Sequence, residues 1–249
     1  MLELNRSSRI LSSTYRSSWR HTTVMLVVIA LSLGLVGAAD AQSKEQKARQ
    51  TVEKSRLTVE TFQSDDIFTR NYDGYLKTAK GFLIVPQMVK GAFIFGGSGG
   101  TGLLVARNEA TGEWSQPAFY TLGGVSFGLQ AGGQASETLI IVTNERGLNR
   151  LLNSGAKLGA DLSMAVGPIG EGIGTASITA DLIVFTRNKG LYGGVSVEGS
   201  VVDVRQSWNR AYFGEDLRPS EILVQGKGEN PHSIPLQEAV AKLTGSAAE

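Results

Sequence analysis

The sequence predicts an α+β fold: a glycine-rich antiparallel sheet packed with N-terminal, internal and C-terminal helices. Three observations predict it. Glycine fills 31 of 249 positions without a three-residue period, and 23 of the 31 lie between Gly91 and Gly199 among β-branched and aromatic residues. Such an excess marks twisted, bulged or closely approached strands, not collagen. The segment ahead of this zone is charged, glycine-poor and helix-periodic, and the segment after Val201 is mixed and ends in an amphipathic stretch. A hydrophobic share of 41% supplies one core.

The chain opens with Arg6, Arg9, Arg16 and Arg20 against Glu3, then the apolar run Val24–Val36. That run is shorter than the ~20 residues a spanning helix needs, and it leads to Ala39-Asp40-Ala41, small residues where signal peptidase requires them. Residues 1–41 are expected to be a cleaved secretory signal, leaving 42–249 as a single domain with an amphipathic helical region at 43–80. The alternatives are an uncleaved anchor or a cytosolic chain with a misplaced start. Removing four arginines, Glu3 and Asp40 leaves 20 basic against 21 acidic residues. That balance argues against a nucleic-acid binder.

In the first helix Ala48, Val52, Ser55, Val59 and Phe62 recur at four- and three-residue steps. Ser64-Asp65-Asp66 breaks it and caps a second helix running to Leu76, Ala79 and Lys80, with Gly81 as its C-terminal cap. Strands are predicted at Phe82–Val85, Ala92–Phe95, Leu103–Ala106, Ala118–Leu122, Val125–Leu129 and Leu139–Thr143. Asn108 to Gly112 has hairpin-loop composition, as does Arg187-Asn188-Lys189-Gly190 between Leu182–Thr186 and Leu191–Val197. Asn144 caps an internal helix through Leu148, Leu151 and Leu152 that closes around Gly155. Trp208, Tyr212 and Phe213 form an aromatic cluster, and a last helix after Pro235 carries Leu236, Val240 and Leu243.

The absence of cysteine removes disulfides, thiolate metal sites and cysteine nucleophiles. With two histidines, one of them His21, histidine clusters are excluded as well, and no cofactor or metal is expected. Gly97-Ser98-Gly99-Gly100-Thr101-Gly102 matches G-x-G-x-x-G, but Leu103 to Ala106 continues as a strand where a nucleotide site needs a helix. It reads instead as a glycine-rich turn or bulged strand pair. Ser126 sits in a G-x-S-x-G match, and a serine esterase would pair it with Asp181 or Asp203 and His232. Against this, Val125, Phe127 and Leu129 alternate as a strand face, and His232 reads as an exposed loop residue. Glu137, Asp161, Asp181, Glu198 and Asp203 are scattered. Trp114 is an interfacial anchor or packs over the sheet.

Positive charge is the remaining signal. Lys44, Lys47, Arg49, Lys54 and Arg56 outnumber the acids around the first helix, Lys77 and Lys80 lie near one another on the second, and Lys90 follows the first strand. These eight residues are candidates for contact with phosphate head groups, at about 1 kcal/mol each near an anionic surface. The alternative is that the apolar stripe docks on the sheet and the lysines are merely solvated, which composition alone favours.

Several blocks then point to a family. Leu76 to Pro86, Gly97-x-Gly99, Gly112-Glu113-Trp114-Ser115-Gln116-Pro117-Ala118, Gly123 to Gly132, Gly167-Pro168-Ile169-Gly170 and Lys189-Gly190-Leu191-Tyr192-Gly193-Gly194-Val195-Ser196-Val197-Glu198-Gly199 resemble the SYLF domain family in order and spacing. The resemblance runs from about Thr58 to Leu223. It implies a strongly curved sheet or partial barrel, and phosphoinositide-like or other anionic lipid binding through a basic amphipathic segment, here Lys44 to Arg56. The leader sets this chain apart, and the actin binding of fungal members is not expected to carry over. The expectation is a non-catalytic, periplasmic or secreted protein peripherally associated with an anionic phospholipid membrane. A structural protein of the envelope is the alternative. An outer-membrane barrel is disfavoured by the unbroken apolar run Leu139-Ile140-Ile141-Val142.

Overall fold

A computed structural model describes residues 42–92, 95–127, 132–167, 179–188, 191–192 and 197–246. Residues 1–41, where the signal is expected, 128–131 of the Gly123 to Gly132 block, the Gly167–Gly170 block beyond Gly167, and Lys189–Gly190 and Gly193–Ser196 within the last block lie outside them.

Helix α1 (42–63) buries the predicted stripe: Ala48, Val52, Ser55, Val59 and Phe62 are all at most 1% exposed. Helix α2 (Asp66–Thr78) starts where Asp65 accepts a hydrogen bond from the Phe68 amide. It stops at Thr78, two residues before Lys80. Gly81 is therefore not its cap but the first residue of a strand, and it must be glycine-like because a Cβ there would lie 2.9 Å from the Val105 carbonyl oxygen.

The sheet contains β1 (Gly81–Ala92), β2 (Phe95–Ala106), β3 (Ala118–Phe127), β4 (Gly132–Val142), β5 (Ala156–Lys157), β6 (Met164–Val166), β7 (Leu182–Asn188), β8 (Leu191–Tyr192) and β9 (Val201–Val204). Its order is β5-β9-β3-β2-β1-β4-β7-β6, with β8 on β7, and it curls as a half-barrel. Pairing is antiparallel except for β6, which runs parallel to β7. The strands are longer than their apolar runs. The predicted strand Ala92–Phe95 is divided, Ala92 ending β1 opposite Gly96 and Phe95 opening β2, with Phe93 and Ile94 outside the described residues. The runs Ala118–Leu122 and Val125–Leu129 join through Gly123-Gly124 into β3, as far as Phe127.

Alternation along the strands makes two cores. Phe82, Ile84, Leu103, Val105, Phe119, Leu139, Ile141, Ile183 and Phe185 face α1, α2, Trp208 and Tyr212 of α4 (Gln206–Phe213), and α6 (Ile234–Leu243). Leu83, Val85, Leu104, Tyr120, Ile140, Val142, Leu182 and Val184 face α3 (Glu145–Leu151) and α5 (Pro219–Leu223). Covering both faces explains why Leu139 to Val142 is uninterrupted: every residue of that run is buried. Phe68 and Tyr72 pin α2 to β7, with ring centroids 4.9 and 4.6 Å from Phe185. Asn144 caps α3 by accepting from the Gly147 amide, and Gly155 follows at φ +77°. Trp114 packs over the sheet, its ring 5.2 Å from Phe82, so the anchor alternative is set aside.

One irregularity organises the central strand. Ile84 pairs with Leu103 but Gln87 with Thr101, and Val85 pairs with Thr138 but Met88 with Ser136. A single extra residue at Pro86 thus bulges β1 against both neighbours. Proline has no amide hydrogen to give a ladder, so a central strand tolerates it only at such a bulge. The bulge also turns Met88 into the second core instead of the first. It presses on β2, where a Cβ on Gly100 would sit 2.8 Å from the Gln87 oxygen and one on Gly102 would run into the Ile84 carbonyl oxygen. The G-x-G-x-x-G run is a strand making room for its bulged neighbour.

Candidate functional site

Among the described residues, four of the eight predicted cations are held in ion pairs. Arg49 pairs with Glu45 at 2.9 Å, and Arg56 pairs with Glu60 at 2.5 Å and Glu53 at 3.2 Å. Those hydrogen bonds, donated by the guanidinium to Glu60 and Glu53, raise the Arg56 pKa. Lys77 pairs with Asp73 at 2.9 Å. Lys80 is held by Glu109 of the β2–β3 loop and by Glu145 at the start of α3, the latter at 3.5 Å. Lys44 lies in α1, and the Lys90 side chain is outside the described residues.

Lys47 and Lys54 differ. Both are exposed, and among the described residues neither has a carboxylate within 4 Å. With Gln50 and Leu57 they fall at steps of three and four, making one outward face of α1 opposite the buried stripe. Leu57 is 50% exposed there, and Val89 of β1 is 48% exposed nearby on the sheet. Two grooves flank α1 and share Lys54, Pro86 and Gln87. One, of about 530 Å³, is bounded by Leu57, Thr58, Glu137 and Arg187. The other, of about 550 Å³, runs over Val89, Gly99, Leu122 and Gly123.

Burial lifts the Glu137 carboxyl above its usual range, while the Arg187 charge opposite it pulls the other way. Sequence reasoning missed Arg187 and Glu137 as site residues because only the β4–β7 register brings them together. It missed Leu57 because that residue lies outside the apolar stripe and carries no charge to mark it.

Among the described residues the backbone does not form the elbow an esterase serine needs. Ser126 lies inside β3 opposite Gly96, not on a strand-to-helix elbow. Asp181 is buried and accepts from the Ser163 amide and hydroxyl, Asn144 and Arg146. His232 is not a free loop residue: it lies in the 3₁₀ turn Pro231–Ser233, its Nδ1 3.4 Å from the Tyr212 hydroxyl and its Nε2 3.4 Å from Glu53. Burial foremost lowers its pKa, with the Arg49 charge acting in the same sense and Glu53 against it. Among the described residues no group of three or more His, Asp or Glu side chains converges as a metal site would require, and no helix is long and apolar enough to cross a membrane.

Comparison with known proteins adds a second line. Residues 123–243 match the family described as Ysc84, Las17-binding protein actin regulator. An SH3 domain-containing protein of Schizosaccharomyces pombe is 36% identical over 154 residues, covering 59% of this chain and 35% of the relative. The human SH3 domain-containing YSC84-like protein 1 is 34% identical over 164 residues, 64% of this chain and 46% of the relative. Protein YSC84 of Saccharomyces cerevisiae is 30% identical over 162 residues, 63% of this chain and 34% of the relative. The chain thus spans between a third and a half of the length of these relatives. The described parts of the blocks quoted above lie in a sheet of the expected class, and these matches support the SYLF family for this chain.

Proposed function

We propose that the protein is an exported, non-catalytic binder of anionic phospholipid at a membrane surface of the cell envelope, and that it meets head groups with the outward face of α1. The observation that carries this reading is the exposed pair Lys47 and Lys54, free of carboxylate partners among the described residues and adjoining Leu57. Two lysines at about 1 kcal/mol each, with up to about 1 kcal/mol from half-burying Leu57, give a reversible and salt-sensitive contact.

The energetics select the docked helix over an inserted one. Insertion would rebury Val52, Val59 and Phe62 in lipid but uncover side chains of the same core on the sheet, such as Ile84, Val105 and Leu139, whose burial is worth roughly 1.5–3 kcal/mol each. That loss exceeds what the two lysines return, so α1 stays on the sheet and presents only its polar face. The test is charge reversal. Lys47→Glu with Lys54→Glu should abolish binding to anionic vesicles, while Lys77→Glu, at an ion-paired position distant from this face in sequence, should leave it within about twofold. Equal loss in both would refute the assignment to α1.

The family description offers a competing class, since it names Las17 and actin as what such proteins meet. A protein partner on this face predicts co-purification that survives removal of lipid.

A further inference from the structure

We propose that the groove between the second half of α1 and the sheet, beside the Pro86 bulge, is a binding site for a phosphomonoester group. It adjoins the outward face of α1, sharing Lys54 and Leu57 with it but not Lys47, and does not require a membrane. Three observations converge on it.

The first is charge without partners. Lys54 comes from α1 and Arg187 from β7, and among the described residues neither has a carboxylate within 4 Å. Glu137 stands opposite Arg187 in the β4–β7 register without closing to that distance. The second is unused hydrogen-bonding capacity. Thr58 is wholly buried, lines the groove, and its hydroxyl has no partner; the Arg187 Nε is likewise buried and unpaired. Three other helical threonines return the hydroxyl to the carbonyl four residues back, Thr51 to Lys47 at 2.9 Å, Thr69 to Asp65 at 3.0 Å and Thr78 to Gly74 at 2.8 Å. Thr58 does not, and a buried hydroxyl left unpaired is costly. The third is space: about 530 Å³, opened where the extra residue of β1 displaces Gln87.

The ligand class follows from the donors. A phosphomonoester dianion carries two charges for two cations and three terminal oxygens. Those oxygens can accept from the Lys54 ammonium, the Arg187 guanidinium, the Thr58 hydroxyl and the Gln87 amide together. A phosphodiester offers one charge and two free oxygens, and leaves donors unpaired. Glu137, beside Arg187, is placed to accept from a hydroxyl on the group that carries the phosphate.

The test is titration calorimetry of the purified protein with glycerol 3-phosphate and, as the diester control, dimethyl phosphate. Sedimentation with vesicles containing phosphatidic acid or phosphatidylglycerol at equal mole fraction runs in parallel. Saturable binding of glycerol 3-phosphate, at least tenfold weaker for Arg187→Gln and severalfold weaker for Thr58→Val, supports a soluble phosphate ester. Preference for phosphatidic acid over phosphatidylglycerol, lost in the same two variants, supports a lipid source of the same group. Thr58→Val should also unfold at or above the wild-type midpoint, since it removes an unpaired buried hydroxyl, so lost binding will not reflect lost folding. Absence of monoester preference in both arms, or wild-type affinity in both variants, overturns the proposal. Lys47→Glu acts only on the outward face, so the membrane reading can fail while this one stands.

Discussion

Gly102→Ala is the sharpest probe of how the sheet is built, because one methyl group is pushed against a backbone atom that cannot turn aside. The added Cβ would meet the Ile84 carbonyl oxygen well inside the 3.0 Å that real Cβ atoms essentially never breach, with a Val85 methyl at 2.9 Å behind it. Ile84 is fully buried in β1, and β1 is held on its other edge by β4, so relief requires β1 and β2 to part by more than half an ångström. Overpacking of this kind costs about 1–3 kcal/mol. Loosening one or two ladder hydrogen bonds adds about 1 kcal/mol each. The expected loss is about 3–4 kcal/mol, or roughly 10 °C in melting temperature for a domain of this size. Gly99→Ala and Gly123→Ala are the controls. The nearest atom to a Cβ on Gly99 is the Leu122 oxygen at 3.6 Å, and a Cβ on Gly123 meets nothing within 4 Å. Both should stay within about 1 kcal/mol of the parent in urea unfolding, Gly123→Ala on the stabilising side if anything. If Gly102→Ala unfolds with the same midpoint as Gly99→Ala, the account of the G-x-G-x-x-G run as clearance for the Pro86 bulge is wrong.

Two further predictions concern buried groups. Burial alone would raise the Asp181 pKa, but hydrogen bonds from the Ser163 hydroxyl and amide and from Asn144, with the Arg146 charge, outweigh it and hold the carboxyl below its ordinary value. Its stabilising contribution is therefore complete above the unfolded value near ~3.9 and is lost as pH falls through the lower folded value. Asp181→Asn should cost about 2–3 kcal/mol at neutral pH, and the gap between variant and parent should close in chemical denaturation as pH falls below about 4. Trp114→Ala should cost about 3–5 kcal/mol in thermal unfolding and leave vesicle binding by the folded protein unchanged. Loss of vesicle binding without loss of stability would return Trp114 to the role of an interfacial anchor.

What could be read from the chain was local chemistry. Asp65 and Asn144 cap helices through side-chain contacts three residues on, so both starts were legible, and the α1 stripe showed its period directly. The strand cores were legible from their apolar runs, but their full lengths were not. Glycine pairs such as Gly91 with Gly97 and Gly99 with Gly123 have no β propensity of their own and become strand only through partners distant in sequence. Pro86 marked the end of a strand locally, whereas in the sheet it marks a bulge. The parallel β6 carries no signal that its three residues could supply. At the candidate site, charges on α1 were visible, and the spacing of Glu45 with Arg49 and of Glu53, Arg56 and Glu60 already implied that two of the arginines are spent on neighbours. The pairing of Lys80 with Glu109 and the placing of Arg187 opposite Glu137 depend on tertiary register and were not readable.

The central claim, that this chain meets anionic lipid through α1 while that helix remains docked, is tested most directly by co-sedimentation of the purified protein with neutral and anionic vesicles at low and high salt. The account predicts binding to anionic vesicles only, falling steeply as salt screens Lys47 and Lys54. Equal binding to both vesicle types that salt does not weaken would contradict it.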